Sequence, residues 1–240
     1  MNDRTCLVIG AAGGIGRSLV DLLQRDGWSL VLAGRTQDSL TEVAATCGGK
    51  TACVDARDFE AVDALFQAHP GITGAVNLAG SILLKPAHLT TAQDFEETIA
   101  LNLRTAFALM RAAGRHMKST GGSVVLMSSC AAQVGLSNHD AIAAAKAGVE
   151  GLMRASAATY AGAGIRVNAV APGLVATPMA RRITANEAAL KASSAMHPLG
   201  RIGQPVEIAR AIAFLLSPDN AWITGQVLGV DGGLAHVRGR

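Results

Sequence analysis

Aromatic side chains are scarce in this chain of 240 residues, which has five Phe, two Trp and one Tyr. The hydrophobic residues, which make up 50% of the sequence, are instead mostly Ala, Val, Leu and Ile. Side chains of this size favour close packing of helices against a sheet and leave some apolar surface for contacts between subunits. A chain of this length and apolar content can form a self-supporting core, so intrinsic disorder is excluded.

Cysteine is also sparse, and its spacing carries no recognisable chemistry. The four cysteines, at positions 6, 47, 53 and 130, form no CxxC pair and no metal-ligand pattern. This distribution excludes a disulfide framework and a metal site, and it favours reduced cysteines in a cytoplasmic protein. Cys130 alone falls near the candidate site described below, and we interpret it as a small buried side chain.

Charge and long apolar runs are limited as well. The formal net charge is +3, and the Lys and Arg residues are scattered, so a nucleic-acid partner is not expected. No uninterrupted apolar run approaches the ~18–20 residues that a membrane span needs, so no membrane partner is expected. The first four residues lead directly into a strand-like segment, so a secretory signal is not expected either.

Short β-branched segments alternate with longer segments of helical periodicity along the chain. This alternation is typical of βαβ units, and right-handed crossovers place their helices on both faces of a sheet. We therefore predict an α/β fold, a doubly wound Rossmann-type domain with a mainly parallel seven-stranded sheet. The predicted strands span residues 6–9, 29–33, 50–54, 74–77, 123–127, 166–170 and 227–230. The predicted helices span residues 14–25, 37–45, 59–67, 92–117, 140–160 and 206–216.

The sequence shows no internal linker, repeat or low-complexity tract. A single domain over residues 1–240 is therefore predicted. The weakest periodicity lies in residues 178–198, which we interpret as a flexible helical flap over the substrate rather than part of the core.

Three glycines, Gly10, Gly14 and Gly16, follow the first predicted strand and precede an amphipathic helical segment. Glycine lets the backbone turn tightly and approach a phosphate, and the start of the next helix offers free N–H groups and a positive dipole end. Three glycines can also simply form a tight turn. Their position between strand and helix favours a dinucleotide pyrophosphate.

The end of the second predicted strand reads Leu32-Ala33-Gly34-Arg35-Thr36. An acid at this place would accept hydrogen bonds from the adenosine ribose of NAD, and none is present. The Arg35 guanidinium matches a 2′-phosphate in charge and geometry, although it could also be an ordinary exposed cation. We therefore predict NADP(H) as the cofactor.

Residues 138–148 read Asn-His-Asp-Ala-Ile-Ala-Ala-Ala-Lys-Ala-Gly. Together with the glycine spacing, this segment resembles the active-site helix of the short-chain dehydrogenase/reductase family, and the resemblance extends over essentially the whole chain. The family normally has Tyr-x-x-x-Lys here, with the tyrosine as proton donor or acceptor. Lys146 is present, but Ile142 stands four residues before it, and an isoleucine can neither give nor take a proton.

The resemblance implies roles for further residues. Ser129, which ends the fifth strand, would polarise a substrate carbonyl, and Asn102 would anchor a water relay. Lys146 would hold the nicotinamide ribose and lower the pKa of a neighbouring proton donor. The candidate cofactor-binding residues are Gly10, Gly14, Ile15, Gly16, Arg35, Asp55, Ala56, Asn77, Ala79, Gly80, Lys146, Pro172, Gly173, Val175 and Thr177.

The proton source is the open question, because the only tyrosine, Tyr160, is roughly 20 Å from Lys146 along a helix. His139 is one candidate, since it precedes Ile142 by three residues and an imidazole titrates near neutral pH. It could equally be a partly exposed residue at the start of a helix. A water relayed by Lys146 and Asn102, or Ser129 alone, are the other candidates.

Three hypotheses for function follow. The first is an NADPH-dependent oxidoreductase that reduces a carbonyl-type small molecule (a C=O, C=N or C=C bond) with a non-standard proton donor; its catalytic residues would be Ser129, Lys146, Asn102 and His139. The second is a catalytically silent nucleotide-binding scaffold or sensor subunit of the same fold. A third is an isoleucine introduced by engineering, although Phe or Ala is the usual replacement.

Two further expectations concern partners. The mostly apolar or small residues expected around the site suggest a medium-sized, largely neutral substrate. The resemblance implies a homotetramer, assembled through the helices after strands four and five and through the C-terminal strand.

Overall fold

The computed structural model describes residues 4–238 and is built on one sheet of seven parallel strands. The strands lie in the order β3-β2-β1-β4-β5-β6-β7, so the sheet is entirely rather than mainly parallel. The predicted α/β fold with seven strands is confirmed. The strand bounds are β1 Thr5–Ile9, β2 Ser29–Gly34, β3 Lys50–Cys53, β4 Ile72–Asn77, β5 Gly122–Met127, β6 Ile165–Pro172 and β7 Val227–Val230.

Two hydrophobic cores cover the two faces of the sheet, as the side-chain alternation of β1 illustrates. Leu7 and Ile9 belong to one cluster of buried residues, whereas Cys6 and Val8 belong to the other. Successive side chains of a strand point to opposite faces, so each face of β1 is buried under its own layer of helices. A strand that is buried on both faces reads as a continuous apolar run, which is how the sequence presents it.

Nine α-helices connect and flank the strands within residues 4–238. The helix bounds are α1 Gly14–Arg25, α2 Gln37–Cys47, α3 Phe59–Ala68, α4 Ala92–Ile99, α5 Thr105–His116, α6 Asp140–Tyr160, α7 Arg181–Thr184, α8 Glu187–Met196 and α9 Pro205–Leu216. The predicted helix over 92–117 differs in one respect, because a π-helical turn, Ala100–Arg104, joins α4 to α5. Such turns commonly occur at functional sites, and this one contains Asn102.

The strand order reverses between β1 and β4. The chain builds β1, β2 and β3 outward in one direction and then returns to place β4 on the other side of β1. In parallel α/β sheets, a crevice forms outside the carboxyl ends of the strands at such a reversal. The loops after β1, β4, β5 and β6 meet at this edge.

Residues 178–198 are largely helical, as the sequence analysis suggested. They contain a short 3₁₀ turn, Pro178–Ala180, followed by α7 and α8. Asn186 caps α8 by accepting a hydrogen bond from the Ala189 N–H at 3.0 Å. Over residues 4–238, no helix combines the length and the hydropathy needed to cross a bilayer.

Candidate functional site

The glycine loop after β1 has a backbone that only glycine accommodates at two positions. Gly10 has a φ of +84°, and a Cβ there would lie 3.0 Å from the Leu78 carbonyl carbon. A Cβ on Gly16 would lie 2.5 Å from the Ala11 carbonyl oxygen and equally tight against that of Gly10. The loop therefore folds back on itself and brings the start of α1 close to the end of β4.

The N-terminus of α1 is available to an anion. Its N-cap is Gly13, which has no side chain to cap the helix, and no acidic residue lies in the first turn. The first backbone N–H groups of a helix have no partner within the helix, so they can bind a phosphate. A Cβ on Gly14 would meet the Thr177 side chain at 3.1 Å, so the chain entering the flap lies directly against this helix start.

A cavity of about 360 Å³ opens beside the glycine loop. Its walls come from four strand ends, from the π-helical turn and from one face of α6. Of the predicted catalytic residues, the structure brings Asn102, Ser129 and Lys146 to this cavity, and Ile142 also lines it. Lys146 is the one titratable side chain among the residues that line it. The lining segments are residues 10, 13–16, 78–82, 102, 127–129, 142, 146, 172–175 and 177–180.

Asn77 fixes the turn that follows β4. Its side-chain amide donates to Thr105 Oγ1 at 3.0 Å, and its Oδ1 accepts from the Ala79 N–H at 3.1 Å. Asn77 is buried and does not itself line the cavity. It acts on the site by holding Ala79 and Gly80 in place, and those two residues do line the cavity.

Asn102 is held by two neighbouring elements. Its Nδ2 donates to the Thr98 carbonyl at 2.9 Å and to Ser81 Oγ at 3.1 Å. Its Oδ1 accepts from the Ser81 N–H at 3.2 Å. Both amide hydrogens are therefore occupied, and only a spare acceptor position on Oδ1 is left for a water or ligand.

Lys146 is buried on α6, and its Nζ donates to the Met127 carbonyl at 2.9 Å. Burial lowers the pKa of this ammonium group to about 8, because the charged form loses its hydration. Gly80 leaves room for the group, since a Cβ there would lie 3.6 Å from Nζ and 2.8 Å from Asn102 Oδ1. The lysine therefore combines a fixed position with a pKa close to neutral.

Ser129 lies two residues beyond the end of β5 rather than ending the strand, and it has a hydroxyl group suited to donating. Its Oγ accepts from the Ala131 N–H at 3.2 Å, which orients the side chain and leaves its own hydrogen available. The hydroxyl group of the preceding residue, Ser128, donates to the carboxylate of the buried Glu150 at 2.9 Å. Burial raises the pKa of the adjacent Cys130 to about 11, so this residue is a neutral thiol at physiological pH.

Ile142 and His139 occupy different environments. Ile142 is only 5% exposed, and its apolar side chain forms part of the cavity wall. His139 precedes α6 as its N-cap and is not among the residues that line the cavity. Its Nδ1 lies 2.8 Å from the Ser137 carbonyl oxygen. Helix α6 begins at Asp140, so His139 does not share a helical face with Ile142.

The predicted adenosine-binding residues lie at the neighbouring strand ends, outside the cavity. Arg35 follows β2, is exposed, and takes part in no ion pair within residues 4–238. Asp55 follows β3, and hydrogen bonds from Arg57 lower the pKa of its carboxyl. The shortest of these contacts is 2.6 Å. Ala56, between them, is buried.

His197 connects the flap to the end of β6, a role that no sequence motif indicated. Its Nε2 accepts from the Leu174 N–H at 3.2 Å, and its Nδ1 lies 2.7 Å from the Ser193 carbonyl oxygen. A Cβ on Gly173 would lie 2.5 Å from Nε2, so the glycine permits this contact. The histidine thereby fixes the segment that contributes Pro172, Gly173 and Val175 to the cavity region.

The residues present fit a dinucleotide. The glycine loop leaves a space that a single Cβ would fill, and the uncapped helix N–H groups beside it suit a pyrophosphate. The cavity next to this loop would take the nicotinamide end. Arg35 and Asp55 lie on the adenosine side. Within residues 4–238, no group of three His, Cys, Asp or Glu side chains has the arrangement of a metal site.

Comparison with known proteins identifies relatives along nearly the whole chain. A family model described as enoyl-(acyl carrier protein) reductase matches residues 10–235. The chain is 34% identical to a 3-oxoacyl-[acyl-carrier-protein] reductase from Thermotoga maritima, over 98% of both chains. It is 36% identical to a cis-4-hydroxycyclohexanecarboxylate dehydrogenase from Sinomonas cyclohexanicum, again over 98% of both.

The fold agrees with these relationships. A short-chain type dehydrogenase/reductase from Mycobacterium ulcerans superposes with a TM-score of 0.92 at 29% identity, covering 99% of this chain and 91% of the other. The match combines sequence similarity along the chain with the same overall fold. The chain therefore belongs to the short-chain dehydrogenase/reductase family of oxidoreductases, which bind nicotinamide cofactors and act on small molecules.

Proposed function

We propose that this protein is an NADPH-dependent oxidoreductase that reduces the carbonyl group of a medium-sized, largely neutral molecule. One observation carries the proposal: the glycine loop, Ser129, Asn102 and Lys146 all border the same cavity. Each of these residues has an ordinary structural explanation alone. A nucleotide cradle, a free hydroxyl and a buried lysine at one cavity are explained together by carbonyl reduction.

The names of two relatives indicate the same type of reaction. The Thermotoga relative is a 3-oxoacyl reductase, and the Sinomonas relative is a dehydrogenase of a hydroxycyclohexane ring. Both names describe interconversion of a ketone and a secondary alcohol. The cavity wall contributed by Ile82, Ile142 and Leu174 is apolar, which favours a neutral carbonyl compound.

The preference for NADPH rests on the end of β2. The segment Leu32-Ala33-Gly34-Arg35-Thr36 has no carboxylate that would accept hydrogen bonds from an unphosphorylated ribose. Arg35 is exposed at this point and can donate two parallel hydrogen bonds to a phosphate. A 2′-phosphate therefore gains an ion pair that NADH lacks.

In this proposal, Ser129 donates its hydroxyl hydrogen to the substrate carbonyl oxygen and polarises the bond. Lys146 supports the bound nicotinamide ribose, and Asn102 holds the loop at Ser81. The cofactor, when bound, supplies the hydride. Ile142 stands where the family has its tyrosine, so the usual acid is missing. His139, which was predicted as a proton donor, does not line the cavity.

The test is NADPH oxidation with two ketone probes, cyclohexanone and an acetoacetyl thioester. The wild-type protein is expected to reduce at least one of them, and Ser129→Ala is expected to lose about 10²–10³-fold in kcat, the usual effect of removing one donor to a developing oxyanion. Ser137→Ala, which changes an exposed serine in the same loop region, is the matched control. Equal turnover by the Ser129 and Ser137 variants would contradict the role of Ser129.

A second candidate function, a catalytically silent nucleotide-binding scaffold or sensor, is favoured by Ile142. A buried isoleucine in the cavity wall removes polarity at the point where an acid is expected. This candidate predicts tight NADPH binding without turnover of either probe. The assay above distinguishes the two functions directly.

We also propose a cytoplasmic homotetramer. Large apolar side chains are exposed on the predicted contact elements, including Phe95 on α4, Phe107 on α5 and Leu228 on β7. Their burial between subunits would remove apolar surface from water. Light scattering coupled to gel filtration is expected to give four times the monomer mass of 24.5 kDa.

A further inference from the structure

The proposed reduction needs a proton at the carbonyl oxygen, and the residue that supplies it is not given by the family pattern. Loss of a positioned acid typically costs a factor of about 10²–10⁴ in rate. A side chain that replaces the missing acid must reach the cavity and must exchange a proton near neutral pH. These two requirements can be applied to every residue that lines the cavity.

Only one lining side chain meets both requirements. The serine and threonine hydroxyl groups at the cavity can donate hydrogen bonds, but they do not ionise near neutral pH. The Cys130 thiol does not line the cavity, and burial raises its pKa to about 11. His139 is not a lining residue, and its Nδ1 lies against the Ser137 carbonyl. Lys146 is the remaining group.

The geometry of Lys146 leaves protons available for a substrate. An ammonium group has three N–H donors, and in residues 4–238 Nζ has one hydrogen-bond partner, the Met127 carbonyl. Ile142 lies one helical turn earlier on the same face of α6 and offers no donor or acceptor to Nζ. Gly80 has no side chain to cover the group from the other side.

We propose that Lys146 is itself the acid of this site and transfers its own proton to the substrate oxygen. This inference rests on the proposed carbonyl reduction. The carbonyl carbon accepts a hydride from the reduced nicotinamide, and the electron pair of the C=O π bond moves to oxygen. The oxygen then takes a proton from Nζ, so an O–H bond forms while an N–H bond breaks. Lys146 is left as a neutral amine and regains a proton from water.

The surroundings of Lys146 allow this proton exchange at neutral pH. The elements packed against Nζ, which are the end of β5, residues 78–82 and the π-helical turn, present no charged side chain to it. On its own helix, Glu150 is the nearest charged group, and its carboxylate accepts from Ser128 at 2.9 Å and Gln133 at 3.1 Å. Arg154 also approaches Glu150, at 3.6 Å. Burial alone lowers the pKa of Lys146 to about 8.

A pH profile therefore distinguishes this acid from a tyrosine or a histidine. Ketone reduction needs the ammonium form, so kcat is expected to fall as the pH rises through about 8. Alcohol oxidation needs the neutral amine, so its kcat is expected to rise through the same pH. The pKa of Lys146, measured without turnover by NMR of selectively labelled lysine, should coincide with both midpoints.

Two variants separate proton transfer from charge. Lys146→Arg keeps a positive charge but cannot release a proton at neutral pH. It is expected to lose about 10²–10⁴-fold in ketone reduction, while calorimetry still detects NADPH binding.

Lys146→Ala leaves a space that ethylamine or methylamine can enter. Added amines are expected to restore part of the rate, in proportion to the acidity of their ammonium forms. Lys118→Arg, an exposed lysine, is the control for the substitution itself.

The outcomes are distinct. Wild-type turnover with an unchanged rate and pH profile in Lys146→Arg would overturn the inference while leaving the proposed function intact, as would a Lys146 pKa above 10. Rescue that ignores amine acidity would reduce Lys146 to a positioning residue. NADPH binding by the wild type without reduction of cyclohexanone or the acetoacetyl thioester would instead overturn the proposed function, and this inference with it.

Discussion

The two ends of the site depend on different properties of the chain. At the nucleotide end, the backbone determines the shape: Gly10 has a positive φ, and Gly16 lies against two carbonyl oxygens. At the proposed chemical end, the side chains Ser129, Lys146 and Ile142 line the cavity and would determine what can react. The shape of the nucleotide end depends on several glycines, which are visible in the sequence. The chemistry of the other end depends on single side chains. One substitution can therefore change the chemistry while the fold and the nucleotide cradle persist.

The largest effect at the proposed chemical end is expected from a change at Ile142, whose apolar side chain lines the cavity. In the Lys146→Arg protein, we expect Ile142→Tyr to raise ketone reduction by about 10²–10⁴-fold, because it restores an acid one helical turn before a residue that can no longer release its proton. Steady-state NADPH oxidation measures the gain. Ile142→Phe adds the same ring without the hydroxyl group and should show no gain. Equal rates in the two variants would mean that proton supply does not limit the reaction.

Burial of Lys146 also has a consequence for stability. The pKa of Lys146 is about 8 in the folded protein, against 10.5 as its ordinary value. Between these pH values the unfolded chain binds more protons than the folded one, so the free energy of unfolding rises with pH. The full rise from this group is on the order of 3 kcal/mol. Urea unfolding from pH 7 to 10.5 should show it, and Lys146→Met should remove that part of the slope.

At the nucleotide end, Gly16→Ala tests whether the backbone dominates. Its new Cβ would lie 2.5 Å from the Ala11 carbonyl oxygen, so the loop must shift. We expect a loss of about 1–3 kcal/mol in stability and weaker NADPH binding. Thermal unfolding and calorimetry measure the two effects. Gly151→Ala is the control, because Gly151 is exposed on α6 and a Cβ there would meet nothing within 4 Å. This substitution should stabilise the protein by about 0.5–1 kcal/mol.

The smallest effect is expected at Arg35, where one exposed side chain distinguishes two cofactors. Arg35→Ala should weaken NADPH binding by about tenfold, or 1.4 kcal/mol, and leave NADH binding nearly unchanged. Arg25→Ala, an exposed arginine that pairs with Asp21, is the matched control. A parallel loss for NADH and NADPH would show that Arg35 acts on the loop rather than on the 2′-phosphate.

The sequence predicted the regular parts of the fold because their periodicity is local. Helix α6 has the predicted bounds, and all seven strands lie where β-branched runs were found. The π-helical turn at Asn102 was missed, since its residues continue the helical pattern on both sides. Within this turn, Asn102 forms hydrogen bonds with Ser81, a residue distant in sequence.

In the candidate site, too, local patterns were predictable and contacts between distant residues were not. Ser129, Asn102 and Lys146, which line the cavity, were predicted from the family resemblance, whereas contacts between side chains distant in sequence were not predicted. His197 bridges Ser193 and Leu174, and nothing in its neighbouring sequence indicates that contact. Asp55 was predicted to bind the cofactor, but the pairing of its carboxylate with Arg57 appears only in three dimensions. Long-range pairing of this kind has no periodic signal that one sequence can provide.

Calorimetric titration of the purified protein with NADPH, and in parallel with NADH, tests the central claim most directly. We expect micromolar NADPH binding and much weaker NADH binding, since the glycine loop is complete and Arg35 is available for a 2′-phosphate. No binding of either cofactor would contradict this expectation, because the glycine loop and Arg35 would then not form a nucleotide site.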